Sequence, residues 1–269
     1  MRHSPTLLGL TLWAAGMFGA VILTHATLPK LLTMSPLPAP LLVAAALLQS
    51  ALTITLAVWM GVALGPQIGL GAPAISAMLG NKPSAPIWLA QLRPAIVVGG
   101  LSALFIASAQ SVAPVPLQES ASCERLPLLV RMLYGGLTEE VLMRWWLMTL
   151  LAWASWRILQ RGQGRPKGIW FVVAATLSAV VFGLGHLPAI IGMGVEGTAP
   201  VVLYITSVNF IPGLLFGLLF WRHGLEAACL AHMFAHLGLE MGFTDRKFNR
   251  MRPSMARVLG LETRSAKEG

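Results

Sequence analysis

The residues best suited to chemistry lie in Tyr134-Gly-Gly-Leu-Thr-Glu-Glu-Val-Leu-Met-Arg-Trp-Trp146, where adjacent carboxylates and an arginine interrupt a long apolar run. A charged side chain at the centre of a bilayer costs about 3 kcal/mol or more, so such groups line a cavity or pair internally. On a helix, Glu140 and Arg144 are i,i+4 with the acid first, the favourable order for an ion pair. Glu139 points roughly 100° away around the axis and has no cation on its own helix. Its partner must come from another helix. One reading is a structural Glu140–Arg144 clamp with Glu139 capping backbone. The other makes Glu139 a working carboxylate.

Histidines supply the candidate partners. His186 closes the apolar run Leu177-Ser-Ala-Val-Val-Phe-Gly-Leu-Gly-His186, and His232 and His236 share one helix face in Cys229-Leu-Ala-His-Met-Phe-Ala-His-Leu237. His3, His25 and His223 fall at ends or turns and read as surface or interface groups. Two chemistries suit the set. His186, His232 and His236 with a carboxylate could hold tetrahedral zinc and an activated water. The zincin general-base glutamate is missing, because Met233-Phe-Ala235 fills the gap between the paired histidines. Without metal, Glu139 assisted by His186 would deprotonate a water, and side chains of the last span would donate to the oxyanion. No Gly-x-Ser-x-Gly elbow and no phosphate-cradling loop is present.

The elements that must position these groups are membrane helices. The chain is 56% hydrophobic and 11% charged, with mean hydropathy +0.72, whereas a soluble domain carries roughly 25% charged residues. The expected fold is an all-α, polytopic membrane helix bundle with about seven transmembrane helices, six to eight, at around 20 residues each. Spans are expected near residues 7–24, 41–64, 94–112, 128–156, 169–187, 200–221 and 225–243. Proline-rich turns are expected at Leu28-Pro-Lys30 and 35–40, and residues 65–93 form an interfacial stretch or a short helix. The organisation is residues 1–112 as N-terminal helices and interfacial segment, 113–243 as a catalytic membrane core, and 244–269 as a basic polar tail. The net charge of +9 would suggest nucleic acid in a soluble protein. Here the cations sit in short loops and the tail, which points to topology and anionic lipid and excludes nucleic acid. Cys123 and Cys229 form no disulfide framework. Arg157, Arg161, Arg165 and Lys167 mark one loop as cytoplasmic; seven alternating spans then put the tail outside, despite its seven Lys/Arg against three acids.

At these residues a resemblance emerges. Glu139-Glu140-Val-Leu-Met-Arg144 resembles the first motif, Glu-Glu-x-x-x-Arg, of the CPBP family of intramembrane proteases. Phe182-Gly-Leu-Gly-His186 resembles its second motif, Phe-x-x-x-His. His232-Met-Phe-Ala-His236 resembles its third, with His236 where asparagine is more usual. The family includes type II CAAX prenyl endopeptidases and proteins linked to bacteriocin self-immunity. The resemblance implies a glutamate-type endopeptidase without a metal cofactor, acting on membrane-associated protein or peptide substrates within the bilayer. Glu139 and His186 would activate water, His232 and His236 would form the oxyanion site, and Glu140 and Arg144 would brace the helix. A bacterial inner (cytoplasmic) membrane is the expected setting. Three alternatives stay open: a zinc metalloprotease, a non-catalytic scaffold or immunity factor, and a transporter.

Overall fold

The computed structural model describes residues 5–120 and 126–258, with backbone alone for 119–120 and 243–258. Among the described residues every regular element is helical. The long elements are α1 (Pro5–Met34), α2 (Ala39–Ile68), α4 (Ala85–Ala109), α6 (residues 128–159), α7 (Gly168–Gly185), α9 (Ala199–His223) and α10 (Leu225–Val258). Short helices α3 (Pro73–Leu79), α5 (Val115–Ser120) and α8 (Leu187–Ile191) lie between them.

The distribution of polarity is inverted relative to a water-soluble protein. Large apolar side chains such as Leu10, Trp59, Leu89, Leu104 and Leu203 are exposed, while Gln91, Glu140, Arg144, Glu226 and His232 are buried. A bundle surrounded by hydrocarbon satisfies its backbone within each helix and turns its polar side chains inward. Among the described residues, five helical stretches are long and apolar enough to cross a membrane by length and composition: Pro5–Met34, Ala39–Ile68, Ala85–Val112, Gly168–Ile191 and Ala199–His223. The site-bearing α6 and α10 are not among them. α6 is interrupted by wide turns, and α10 carries glutamates and histidines that lower its hydropathy.

Several local expectations need correction. α1 runs through Pro29 to Met34, and α4 begins at Ala85 and runs through Pro94. Inside a membrane bundle, neighbouring helices re-satisfy the backbone groups that a proline frees, so it need not end a span. Residues 244–258, read as a tail, continue α10 as helix.

Small residues let the helices meet. A Cβ on Gly99 would strike Ala231 and Phe234 of α10, and one on Gly183 would lie 2.6 Å from the Thr206 carbonyl oxygen of α9. Close backbone approach of this kind drives association where no hydrophobic effect operates between helices. α6 is held the same way. Thr138 donates to the Gly16 carbonyl at 2.7 Å, in the space left by Gly19, and Trp145 occupies the notch at Gly61.

Candidate active site

α6 is π-helical over Tyr134–Glu139 and Val141–Met148, with Thr149 Oγ1 donating back to the Arg144 carbonyl at 3.1 Å. Wide turns of this type re-aim side chains and recur at functional sites. They sit on Tyr134-Gly-Gly136, where α6 comes closest to α10. A Cβ on Gly135 would lie 2.8 Å from His236 Nε2 and 3.0 Å from His232 Nε2. Both imidazoles therefore turn Nε2 toward one point above Gly135. Any larger residue would displace them. Gly136 admits Met233 in the same manner.

Glu140 lies at the centre. Its side chain is fully buried, and Oε1 faces Arg144 Nη1 at 3.1 Å, the i,i+4 pair that the spacing implies. Arg144 Nη2 donates to the Gly213 carbonyl of α9 at 2.9 Å, and its guanidinium lies 4.9 Å from the Phe182 ring centre and 5.6 Å from that of Phe216. The same Oε1 accepts from His232 Nδ1 at 2.7 Å. This contact is absent from the sequence reading, which gave Glu140 one partner. Burial of ionised groups costs several kcal/mol each, and only full pairing and hydrogen bonding offset it. Arg144 and His232 supply part of that compensation, while Glu140 Oε2 and Arg144 Nε and Nη1 are buried without a hydrogen-bond partner.

Glu139 finds its partner on another helix, as expected. Its side chain is 22% exposed, and Oε2 stands 3.9 Å from His232 Nε2. That gap is too long for a direct hydrogen bond and suits one bridging oxygen.

His186 stands one ring away. Its Nδ1 lies 2.8 Å from the Phe182 carbonyl oxygen, which can only accept, so Nδ1 carries a hydrogen and Nε2 is the nitrogen left for the site. The Phe182 ring is edge-on to both His186, at 4.7 Å, and His232, at 6.0 Å between centroids. His232 in turn stacks against Phe216 at 4.9 Å and against His236 at 5.0 Å. At the mouth, Arg131 forms an ion pair with Glu240, one turn before Gly135 and one turn after His236.

Among the described residues, no group of three His, Cys, Asp or Glu side chains is placed to hold a metal ion. His232 Nδ1 is engaged by Glu140, which leaves Nε2 as its free ring nitrogen, and the Phe182 ring is edge-on to both His186 and His232. Sequence reasoning missed Gly135, the Phe182–Phe216 enclosure of Arg144, and the Gly213 carbonyl. The paired glycines before the acids were the available signal for the first. Nothing local marks Phe216 or Gly213.

Residues 122–238 match the family model Rce1-like, type II CAAX prenyl endopeptidase Rce1-like. The matched segment contains Glu139–Arg144, Phe182–His186 and His232–His236, so the resemblance drawn from the three motifs is borne out there. No curated protein and no solved structure matches the chain.

Proposed function

We propose that this chain, a CPBP-type, Rce1-like membrane protein over residues 122–238, hydrolyses peptide bonds of membrane-associated proteins or peptides by a glutamate-activated water. The observation that carries the reading is the placement of His232, with Nδ1 on Glu140 at 2.7 Å and Nε2 facing Glu139 at 3.9 Å. Glu139 is the less buried acid and the one with an open approach to a bridging oxygen. It takes a proton from water, aided by the Nε2 lone pair of His186. The resulting hydroxide adds to the scissile carbonyl carbon, and the carbonyl oxygen becomes an oxyanion. His232 and His236, whose Nε2 atoms converge above Gly135, donate to that oxygen. Glu139 then passes its proton to the leaving nitrogen as the C–N bond breaks.

His232 must carry both ring protons for this role, because Nδ1–H is committed to Glu140. Glu140 and Arg144 orient His232 and brace α6. Residues 1–112 carry none of the motifs and are assigned to substrate selection. The setting is a bacterial inner membrane. Membrane proteomes of cells expressing wild type or Glu139→Gln test the reading. Cleavage products that depend on Glu139 support it, and identical peptide profiles make the chain a scaffold.

A further inference from the structure

A groove on the lipid-facing side of α4, which shares no residue with the catalytic motifs, has the build of a ligand site. It encloses about 450 Å³ and is lined by Leu89, Arg93, Pro94, Val97, Val98 and His223. Among the described residues, neither the Arg93 guanidinium nor the His223 ring has a hydrogen-bond or ion-pair partner, and no acid lines the groove. The nearby carboxylate of Glu226 is buried and turned away, with Oε1 accepting from the Ile75 amide at 2.8 Å.

The height of the groove in the bundle follows from one hydrogen bond. Gln91 Nε2 donates to the backbone carbonyl of His223, the last residue of α9, at 2.7 Å. Position 91 of α4 is therefore level with the end of α9, and Arg93 lies about 3 Å further along, at 1.5 Å per residue. The loop with Arg157, Arg161, Arg165 and Lys167 is at this same end, where a Cβ on Gly168 would lie 3.2 Å from the Trp221 ring. Above the cations the wall becomes apolar, through Pro94, Val97 and Val98, toward the bilayer centre. Pro94 also supplies no amide hydrogen to the Ala90 carbonyl, leaving an acceptor beside the cations.

We propose that this groove is a binding site for an anionic diacyl phospholipid. The phosphate sits on Arg93 and His223, a headgroup hydroxyl meets the Ala90 carbonyl, and an acyl chain lies along Val97 and Val98. Arg93 offers a planar fork of donors suited to phosphate, and His223 offers a ring N–H in either protonation state. Bulk hydrocarbon would leave the Arg93 guanidinium without a counter-charge and the His223 ring N–H without an acceptor. Zwitterionic lipid brings its own cation and satisfies them less well.

Native mass spectrometry of the purified full-length protein in neutral detergent reads the site. Separate samples receive phosphatidylglycerol, phosphatidylcholine of matched chains, or glycerol phosphate alone. Phosphatidylglycerol is expected to be retained roughly 5- to 25-fold over phosphatidylcholine, on the scale of about fivefold per basic residue near an anionic surface. Arg93→Gln/His223→Gln brings the two lipids to parity, while Arg157→Gln, outside the groove, keeps the preference. Val97→Trp, made at an exposed position, fills the chain channel and lowers retention of both lipids, so the test survives if the double variant does not fold. Equal retention by wild type, an unchanged preference in the double variant, or unchanged retention in Val97→Trp overturns the proposal. Equal loss in Arg157→Gln reduces the effect to diffuse attraction, and binding of glycerol phosphate alone makes the ligand a soluble phosphate. Either result also overturns it.

Discussion

His232 joins the two acids of α6: its Nδ1 lies 2.7 Å from Glu140 Oε1, and its Nε2 lies 3.9 Å from Glu139 Oε2. Adjacent glutamates thus have unequal surroundings. Glu140 is sealed and shared between Arg144 and His232, whereas Glu139 keeps an open edge. Neutralising each should separate these roles. Glu139→Gln is expected to lose turnover while unfolding within about 0.5 kcal/mol of wild type, as for a substitution that leaves no buried charge unpaired. Glu140→Gln strands Arg144 and is expected to cost roughly 3–5 kcal/mol of stability along with activity. Unfolding in detergent measured beside peptide hydrolysis checks both. A folded, inactive Glu140→Gln with an active Glu139→Gln would reverse the assignment.

How much of this was legible depended on the range of the interaction. The Glu140–Arg144 pair follows from spacing alone, and it survives the widened turns of α6 because both residues stay on the face toward α9. The likeness of the three motifs, and the shared face of His232 and His236, were equally local. That Glu140 also holds His232 was not legible, since it depends on how deeply α10 sits against α6, and Gly135 sets that depth. Pro29 and Pro94 misled for a different reason. They break helices in water, but in these spans they are tolerated. The polar composition of residues 244–258 hid the continuation of α10, because a helix leaving the bilayer needs no apolar face.

Gly135 provides a sharper test of the site than of the fold. Alanine there places a methyl group about 3 Å from both Nε2 atoms and pushes the imidazoles apart. Displacement of about 1 Å at a catalytic group costs roughly 100-fold in rate. Gly135→Ala should therefore lower kcat/KM by about that factor, with the protein still inserted and folded. Gly100→Ala serves as the control, since nothing lies within 4 Å of its added methyl. An active Gly135→Ala would show that the convergence of the two histidines is not used.

Gly19 and Gly61 should behave in the opposite way. Their missing side chains make room for Thr138 and Trp145, which dock α6 on α1 and α2 without touching the histidines. Alanine at either position overfills a closed interface, which costs typically 1–3 kcal/mol. Both variants should melt earlier, and whatever remains folded should keep near-normal kcat. A normal melting temperature in both would mean that α1 and α2 do not support α6.

His236 separates water activation without metal from zinc chemistry, and it is the position where the third motif departs from its usual asparagine. A hydrogen-bond donor is all the oxyanion needs there, and an asparagine amide can supply one. His236→Asn is therefore expected to keep most of the activity, whereas His236→Ala should fall by roughly 100- to 1,000-fold, the cost of one oxyanion donor. A zinc ligand would behave otherwise, because an amide is a poor replacement for imidazole and both variants would fail together. Chelation distinguishes the cases independently, since metal affinity resides in the folded site and removal abolishes the chemistry it supports. Wild-type hydrolysis should persist in excess chelator, and elemental analysis should find no stoichiometric zinc. Stoichiometric zinc, lost from His236→Asn together with activity, would replace the glutamate mechanism with a metal one. Retained activity in His236→Asn would instead place the asparagine-bearing and histidine-bearing forms of the motif on the same chemistry, with the ring at 236 acting only as a donor.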